Sequence, residues 1–302
     1  MMRIVIFTDE PGWHGARLRE AFAARGCATT FVSLAECSIR LRTGQPRVRL
    51  PGFGADLPDG AFVRGVAAGT LEEVVFRLDV LHALDAMGVP VYNDGRAIER
   101  SVDKSLTSFL LARAGLATPS TLVTAVRAEA EAHILREIAQ GSMTVCKPLF
   151  GSQGKGLIRI AEPRDLPDAS AVNGVWYLQR FVASGATGAA DWRLLVLGGR
   201  VVASMRRSTP GWLTNVAQGG RCQAALPDQG LRALAERALE VLGMSYAGVD
   251  LMQDRDGGWW ILEVNSIPAW RGLQGVAGVD IAGLLAEDLL RRCSGGSSRE
   301  AV

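Results

Sequence analysis

Hydrophobic and polar positions along this chain follow two periods, and each run of one period predicts an element. Arg3 to Phe7 (RIVIF) is a short β-branched run that suits a buried parallel strand; a loop with Pro11 and Gly12 follows, then a helix over Ala16 to Arg25. Thr29 to Leu34 predicts a second strand, Arg40 to Arg49 an irregular basic segment, and Pro51 to Gly60 a loop rich in proline and glycine. Ala61 to Val63 and Val89 to Tyr92 supply further strands, on either side of a helix from Leu71 to Met87 in which Val74, Leu78 and Leu81 recur at helical spacing. Strands alternating with helices to about residue 95 indicate a small α/β domain built on a parallel sheet.

The pattern then changes. Ser101 opens a helix with Lys104 in its first turn, which runs to Ala114 before GLATPST breaks it, and a second helix covers Ala128 to Ala139. Met143 to Lys147 and Leu157 to Ile160 bracket the loop GSQGKG. Trp176 to Phe181 is a strand, and Trp192 to Leu197 is joined to Arg200 to Met205 through the two-residue turn Gly198 and Gly199. Leu231, Leu234, Ala235, Ala238, Leu239 and Leu242 trace an amphipathic helix, and Ile281, Leu284, Leu285 and Leu289 trace another. The tail from Ser294, SGGSSREAV, is small and polar and is expected to be disordered. This later part reads as α+β.

One stretch organises the chemistry. Tyr246 to Asn265, YAGVDLMQDRDGGWWILEVN, reads as strands Ala247 to Met252 and Trp259 to Val264 closed by Gln253 to Gly258. With the turn centred between Asp256 and Gly257, Asp250 falls opposite Glu263 and Met252 opposite Ile261. Alternation then puts Asp250, Glu263 and Asn265 on one face and turns Leu251, Leu262 and Val264 into the core. Facing carboxylates repel unless something positive lies between them, and two carboxylates with a carboxamide suit Mg²⁺, which takes its other oxygens from water and substrate phosphates. A solvated hairpin with incidental acids is the alternative.

Composition narrows the partners. The 302 residues are 48% hydrophobic and 21% charged, enough for two domains with real cores. A net charge of +2 offers no global basic field for nucleic acid or an anionic membrane, so anion binding should be local. Cys27, Cys37, Cys146, Cys222 and Cys293 are odd in number, scattered and never in a CxxC pair, which speaks against disulfides or zinc. With no signal-peptide pattern and no apolar run of membrane-spanning length, the expected location is the cytoplasm.

Further stretches carry candidate chemistry. Lys104 and Lys147 are two ammonium groups of the kind a triphosphate needs, although either alone is most often a surface lysine. Gly151, Ser152, Gln153, Gly154, Lys155 and Gly156 form a loop whose backbone N–H groups can approach phosphate; it is not a P-loop, since no GxxxxGK[ST] is present. Asp191 and Arg193 lie two apart on one strand and can face one cleft, or pair across strands. Asn215 in WLTNVAQGG could polarise an oxygen or cap a turn. Arg64, Arg77 and Arg271 are candidates for gripping a substrate carboxylate, each of which also reads as a surface ion pair. His14, His82 and His133 receive no catalytic role.

The order of these pieces, DK, KPLFGSQGKG, QRFV, DxR, TNxxxGG, GVDL and EVN, resembles the ATP-grasp superfamily, and more closely its RimK-like amino-acid ligases, over residues 1 to 292. The resemblance implies an N-terminal α/β domain (1–98), a central lid (99–178), a C-terminal domain (179–293) and a loose tail (294–302), with ATP between two antiparallel sheets. It implies that Lys104 and Lys147 bind phosphates, that Gln179, Arg180, Phe181 and Val182 form the hinge that meets adenine, and that Asp191 and Arg193 are a ribose-side and phosphate-side pair. Arg207 would contact phosphate or acylphosphate, and Asp250, Glu263 and Asn265 would hold two Mg²⁺ (or Mn²⁺) ions.

The chain also departs from the family pattern. Arg180 replaces the usual hinge acid, Leu213 and Gln218 stand where arginines are expected, and NSIPAWRGLQ replaces NxSPGLEGI. Arg180 bears on the adenine or ribose contact; the other changes lie on the substrate side, and RLDVLH with NSIPAWRGLQ resembles ligases that tail small cofactors such as tetrahydromethanopterin, or the amino-group-carrier ligases. The expected activity is amide formation through an acylphosphate, joining glutamate to a small-molecule carboxylate, with Arg193, Arg207 and Asn215 catalytic; a homo-oligomer is left open. The alternatives are a protein-modifying glutamate ligase acting on an acidic tail and a non-catalytic ATP-binding module.

Overall fold

The computed structural model describes residues 1–151, 154–184, 189–216 and 219–295. In chain order these form β1 (Arg3–Phe7), α1 (Gly12–Ala23), β2 (Ala28–Val32), β3 (Ser38–Arg40), β4 (Arg47–Arg49), β5 (Gly60–Val63), α2 (Leu71–Ala86), β6 (Val91–Tyr92) and α3 (Gly95–Val102). There follow α4 (Lys104–Arg113), β7 (Thr121–Thr124), α5 (Arg127–Ala139), β8 (Thr144–Lys147), β9 (Ile158–Ile160) and β10 (Trp176–Arg180). The remaining elements are β11 (Ala189–Leu197), β12 (Arg200–Thr209), β13 (Arg221–Ala224), α6 (Gln229–Leu242), β14 (Tyr246–Gln253), β15 (Trp259–Asn265), α7 (Arg271–Ala277) and α8 (Ile281–Gly295).

Two compact units result, one of Met1–Ile98 with Met244–Tyr246 and the chain from Ser266 onward, the other of Glu99–Gly243 with Ala247–Asn265. The sequence reading groups residues 179–293 in one domain, whereas 266–295 belong to the first unit, where α8 lies against α1 and β5. The approach is close at Gly60, where a Cβ would stand 2.6 Å from Cys293 Sγ. Within the second unit, a lid ending near residue 178 remains our proposal.

The first unit is a parallel sheet in the order β2-β1-β5-β6. Its β-branched strands are buried on both faces, and Val5, Phe7, Ala61 and Val63 share a core with Leu78, Leu81 and Leu84 of α2. Complete burial of a side chain such as Leu81 contributes roughly 1.5–3 kcal/mol. Thr70 and Glu73 close a capping box on the first turn of α2, satisfying backbone N–H groups that the helix cannot. Buried Asn93 accepts from the Ser245 and Tyr246 N–H groups and donates to the Tyr246 and Ser266 carbonyls, pinning both ends of the β14–β15 excursion where they leave and rejoin this unit's chain.

Three expectations are corrected here. The segment Arg40 to Arg49 is irregular only over residues 41–46: its ends belong to β3 and β4, an antiparallel pair in which Ile39 meets Val48, and both of these pack on the core, because each strand sets one apolar residue between polar ones. Ser101 does not open a single helix; Asp103 adopts an extended conformation that ends α3, and its carboxylate accepts from the Ser105 and Leu106 N–H groups to start α4. Ser294 and Gly295 continue α8 rather than joining a loose tail, and the remainder of that predicted tail lies outside the described residues.

The second unit carries two sheets, in the orders β7-β10-β8-β9 and β13-β12-β11-β14-β15. β10 runs antiparallel to β7 and β8, β8 to β9, β12 to β11 and β13, and β14 to β15. β7 and β13 are strands that the breaker-rich sequences around them do not predict. All five cysteines are unpaired. No described helix is long and apolar enough to cross a membrane.

Candidate active site

A cleft opens between the two sheets of the second unit. β8 and β10 give it Lys147 and Gln179, β11 and β12 give Asp191 and Arg207, and β14 and β15 give Asp250 and Glu263. Alternation on antiparallel strands is what lets six polar side chains from six strands meet over one volume while their neighbours fill the cores.

The β14–β15 hairpin sets the acidic wall. Asp250 pairs with Glu263, but a bulge shifts the register beyond that pair, so Leu251 opposes Ile261 and Met252 opposes Trp260. The predicted opposition of Met252 and Ile261 is therefore corrected. So is the placing of Leu262 in the core: as the surplus residue of the bulge, it joins Met252 in lining the cleft, while Leu251 and Val264 are fully buried as expected.

Below Glu263 lies a chain of buried charge. Arg193 grips Asp250 with two parallel hydrogen bonds, Nε to Oδ1 at 2.6 Å and an amino nitrogen to Oδ2 at 2.5 Å. Arg207 lies 3.0 Å from the same Oδ2 and also forks onto Asp191, which accepts a further bond from the Thr214 hydroxyl at 2.7 Å. Burial works to raise the Asp250 pKa, but the two guanidinium groups outweigh it and hold the carboxyl below its ordinary range. Asp191, read as a ribose-side group, is thus occupied by Arg207 and Thr214, and Arg193 serves Asp250.

The opposite wall is basic. Lys147 Nζ donates to Gln179 Oε1 at 2.6 Å, and its pKa falls to about 8, chiefly through burial, with Lys104 adding to the fall and Glu263 and Asp250 opposing it. Gln179 is held in turn by donating to the Thr121 and Tyr177 hydroxyls. Lys104 Nζ donates to the Gly151 carbonyl at 2.7 Å, and burial lowers its pKa as well. Glu263 faces both lysines electrostatically, yet among the described residues it makes no hydrogen bond or ion pair. An anionic carboxylate across from two ammonium groups leaves a space suited to phosphate oxygens and a divalent cation.

The residues present fit such a cation. Glu263 is uncommitted, and Asp250 Oδ1 accepts only the Arg193 Nε–H, which leaves it a lone pair, since an ionised carboxylate offers about four acceptor positions. Asn265, one alternation beyond Glu263 and opposite Gly248, is not among the residues that line the cleft, so Asp250 and Glu263 are the two predicted ligands found there.

The glycine loop sits over this space. Gly151, Gly154 and Gly156 all take positive φ values, and a Cβ on Gly154 would stand 2.6 Å from Asn215 Oδ1, so the loop passes directly against Asn215. Ser152, Gln153 and Gln218 lie outside the described residues. At the hinge, the Arg180 and Phe181 N–H groups already donate to the Ser120 and Met143 carbonyls, while Val182 and the side chains of Arg180 and Phe181 line the cleft. Arg180 forms a 2.6 Å ion pair with buried Glu137 of α5 and also donates to Gln140. Glu137, missed from the sequence, carries no local signal, because its partner lies on a strand 43 residues away.

The three arginines proposed to grip substrate lie in the first unit and have different surroundings. Arg77 is buried and spent on the Ala67 and Ala68 carbonyls and on Glu73, so it is a structural group. Arg64 and Arg271 lie over the rings of Trp270 and Trp13 respectively.

Family models match nearly the whole chain: a RimK pre-ATP-grasp domain over residues 2–98 and a RimK-like ATP-grasp domain over 101–289. A tetrahydromethanopterin:alpha-L-glutamate ligase of Methanococcus maripaludis is 34% identical over 236 residues, 76% of this chain and 78% of that one. A probable alpha-L-glutamate ligase of Alkalilimnicola ehrlichii is 32% identical over 289 residues, 94% and 93% of the two chains. Among solved structures, the ATP-grasp ligase PsnB with its minimal precursor superposes with a TM-score of 0.73 at 22% identity, over 96% and 98% of the chains. A RimK domain ATP-grasp protein from Sphaerobacter thermophilus gives 0.67 at 25% identity, over 95% and 99%.

Proposed function

The chain belongs to the RimK-like ATP-grasp family of carboxylate–amine ligases, and from that premise we propose that it joins L-glutamate to the carboxylate of a small molecule, using ATP. The observation that carries the reading is the placing of Lys104, Lys147 and uncommitted Glu263 around one cleft between two antiparallel sheets.

The acceptor's carboxylate oxygen attacks the γ-phosphorus of ATP, and the bond to the bridging oxygen breaks to release ADP. The glutamate amine then attacks the acyl carbon, phosphate leaves, and the amine loses a proton. No protein nucleophile is needed, because such transfer depends on positioning and charge neutralisation. Lys104 and Lys147 offset phosphate charge, and Gln179 aims Lys147 across the cleft. Arg207 lines the cleft beside Asp191 and offers positive charge toward the acylphosphate, while Arg193 fixes the carboxylate of Asp250. Asn215, against Gly154, polarises an oxygen at the loop. Two Mg²⁺ ions, when bound by Asp250, Glu263 and Asn265, would screen the phosphates and order them for attack. With its Arg180 and Phe181 N–H groups spent, the hinge meets adenine through its remaining backbone groups, against Leu262 and Met252.

The relatives named for tetrahydromethanopterin and glutamate supply the substrate class. The test incubates purified protein with MgATP, L-glutamate and candidate carboxylate acceptors, following ADP by coupled assay and products by mass. ADP release that requires both glutamate and an acceptor, with one glutamyl group added, is expected. ADP release indifferent to both would defeat the proposal.

A further inference from the structure

Outside the cleft, the first unit holds a second concentration of positive charge that has no anionic partner among the described residues. Arg64 follows β5; its guanidinium lies 5.2 Å from the centroid of the fully buried Trp270 ring, and its one side-chain hydrogen bond among the described residues, to the Ile267 carbonyl, is a long 3.4 Å. Its Nε is buried without a partner, as is the indole Nε1 of Trp270. Burial lowers the Arg64 pKa, and no carboxylate opposes that fall. Desolvating a guanidinium without an anionic partner is costly, and buried charges in folded proteins are ordinarily paired.

The neighbours deepen the pattern. His14 of α1 accepts the Trp270 backbone N–H at its Nε2, 3.1 Å away, so it is neutral there, and its ring meets Trp270 edge-on at 4.6 Å. Exposed Arg271, at the start of α7, lies 5.9 Å from the Trp13 ring. The His14 pKa falls to about 4 through burial and the fields of Arg64 and Arg271, again with no acid contributing. Two arginines on two indoles thus flank one neutral histidine, a surface made for a carboxylate: guanidinium forks match its geometry, and aromatic faces hold the forks in place.

We infer that Arg64, Arg271 and His14 form a recognition site for a carboxylate of the substrate, held by Trp270 and Trp13. The inference rests on the ligase reading only for the identity of the ligand. A carboxylate could come from glutamate itself or from a glutamyl-like end of the acceptor, and two probes separate these sources: L-glutamate, and N-acetyl-L-glutamate, whose amine is blocked.

Binding of each probe, without ATP, is followed by tryptophan fluorescence, and the titration of His14 by ¹⁵N NMR, with His82 and His133 as internal references. At least one probe is expected to bind saturably and to raise the His14 pKa from about 4 toward its ordinary value, as the carboxylate offsets the two arginines. Arg64→Met and Arg271→Gln should each weaken that probe about tenfold or more. Arg271 is exposed, so its variant reports even if Arg64→Met fails to fold. A response to N-acetyl-L-glutamate assigns the site to the acceptor, and a response to L-glutamate alone assigns it to the amino acid. Unchanged affinity in Arg271→Gln, or a His14 pKa unmoved at saturation, overturns the inference. Because ATP is absent, the ligase assay can fail while this site holds, and the reverse.

Discussion

Arg193 and Asp250 meet through two parallel hydrogen bonds in a nearly dry setting, and Arg207 reaches the same carboxylate from the next strand. Asp250 therefore does two jobs, closing a buried charge network and presenting a lone pair to the cleft, whereas Glu263 opposite it does only the second.

That division separates stability from turnover. Asp250→Asn strips the charge from a buried pair and is expected to cost about 3–5 kcal/mol in urea unfolding. Glu263→Gln, at a half-buried and unpaired position, is expected to stay within about 1 kcal/mol of the parent. Both should lower acceptor-dependent ADP release by roughly a hundredfold or more. A Glu263→Gln protein that turns over normally would remove this residue from the metal site.

Lys147 gives a pH dependence of determined sign. Its pKa in the fold, about 8, lies below the value of 10.5 expected when unfolded. Between those values the unfolded chain holds more protons, so the Lys147 contribution to stability improves as pH rises from about 8 to 10.5. Nucleotide affinity moves the other way, because only the protonated amine attracts phosphate. Titration calorimetry should show ATP binding weakening above about pH 8, while Lys147→Arg, charged throughout, removes that break.

At the hinge, Arg180→Gln leaves the carboxylate of Glu137 buried with no cation. A loss of about 1–3 kcal/mol is expected, at the lower end because Arg180 is partly exposed. Adding Glu137→Gln should restore part of it, which a double-mutant cycle in urea measures directly.

Gly154→Ala tests the loop. The new methyl would collide with the Asn215 amide at a backbone φ of +71° that alanine rarely adopts. The expected result is a weaker ATP KM with unfolding little changed, since the loop lies over the cleft and not in a core. Normal KM would mean that the loop does not approach the phosphates.

Periodicity carried most elements of the first unit, because strands such as Arg3 to Phe7 are buried on both faces and leave one interpretation of their run of β-branched residues. It did not carry β7 or β13, short strands whose neighbours are breakers, nor the split of α3 from α4, where one aspartate serves as a cap instead of a helical residue. The candidate site was legible as a set of residue types in order, but not as partners: Arg193 on Asp250, Arg207 on Asp191 and Arg180 on Glu137 each join positions between 16 and 57 residues apart, which no local spacing encodes. Nor did periodicity show that α8 packs on α1 and β5, since an amphipathic pattern does not identify the surface that covers it.

The surplus residue in β15 has an effect out of proportion to its size. Because Leu262 and Glu263 both look into the same hollow, a single strand presents grease and charge side by side, where strict alternation would have hidden one of them. A flat aromatic base and its ionic tail demand such adjacency, so a chain shortened by that one leucine should fold a sound hairpin that can greet the tail of a nucleotide but no longer its head.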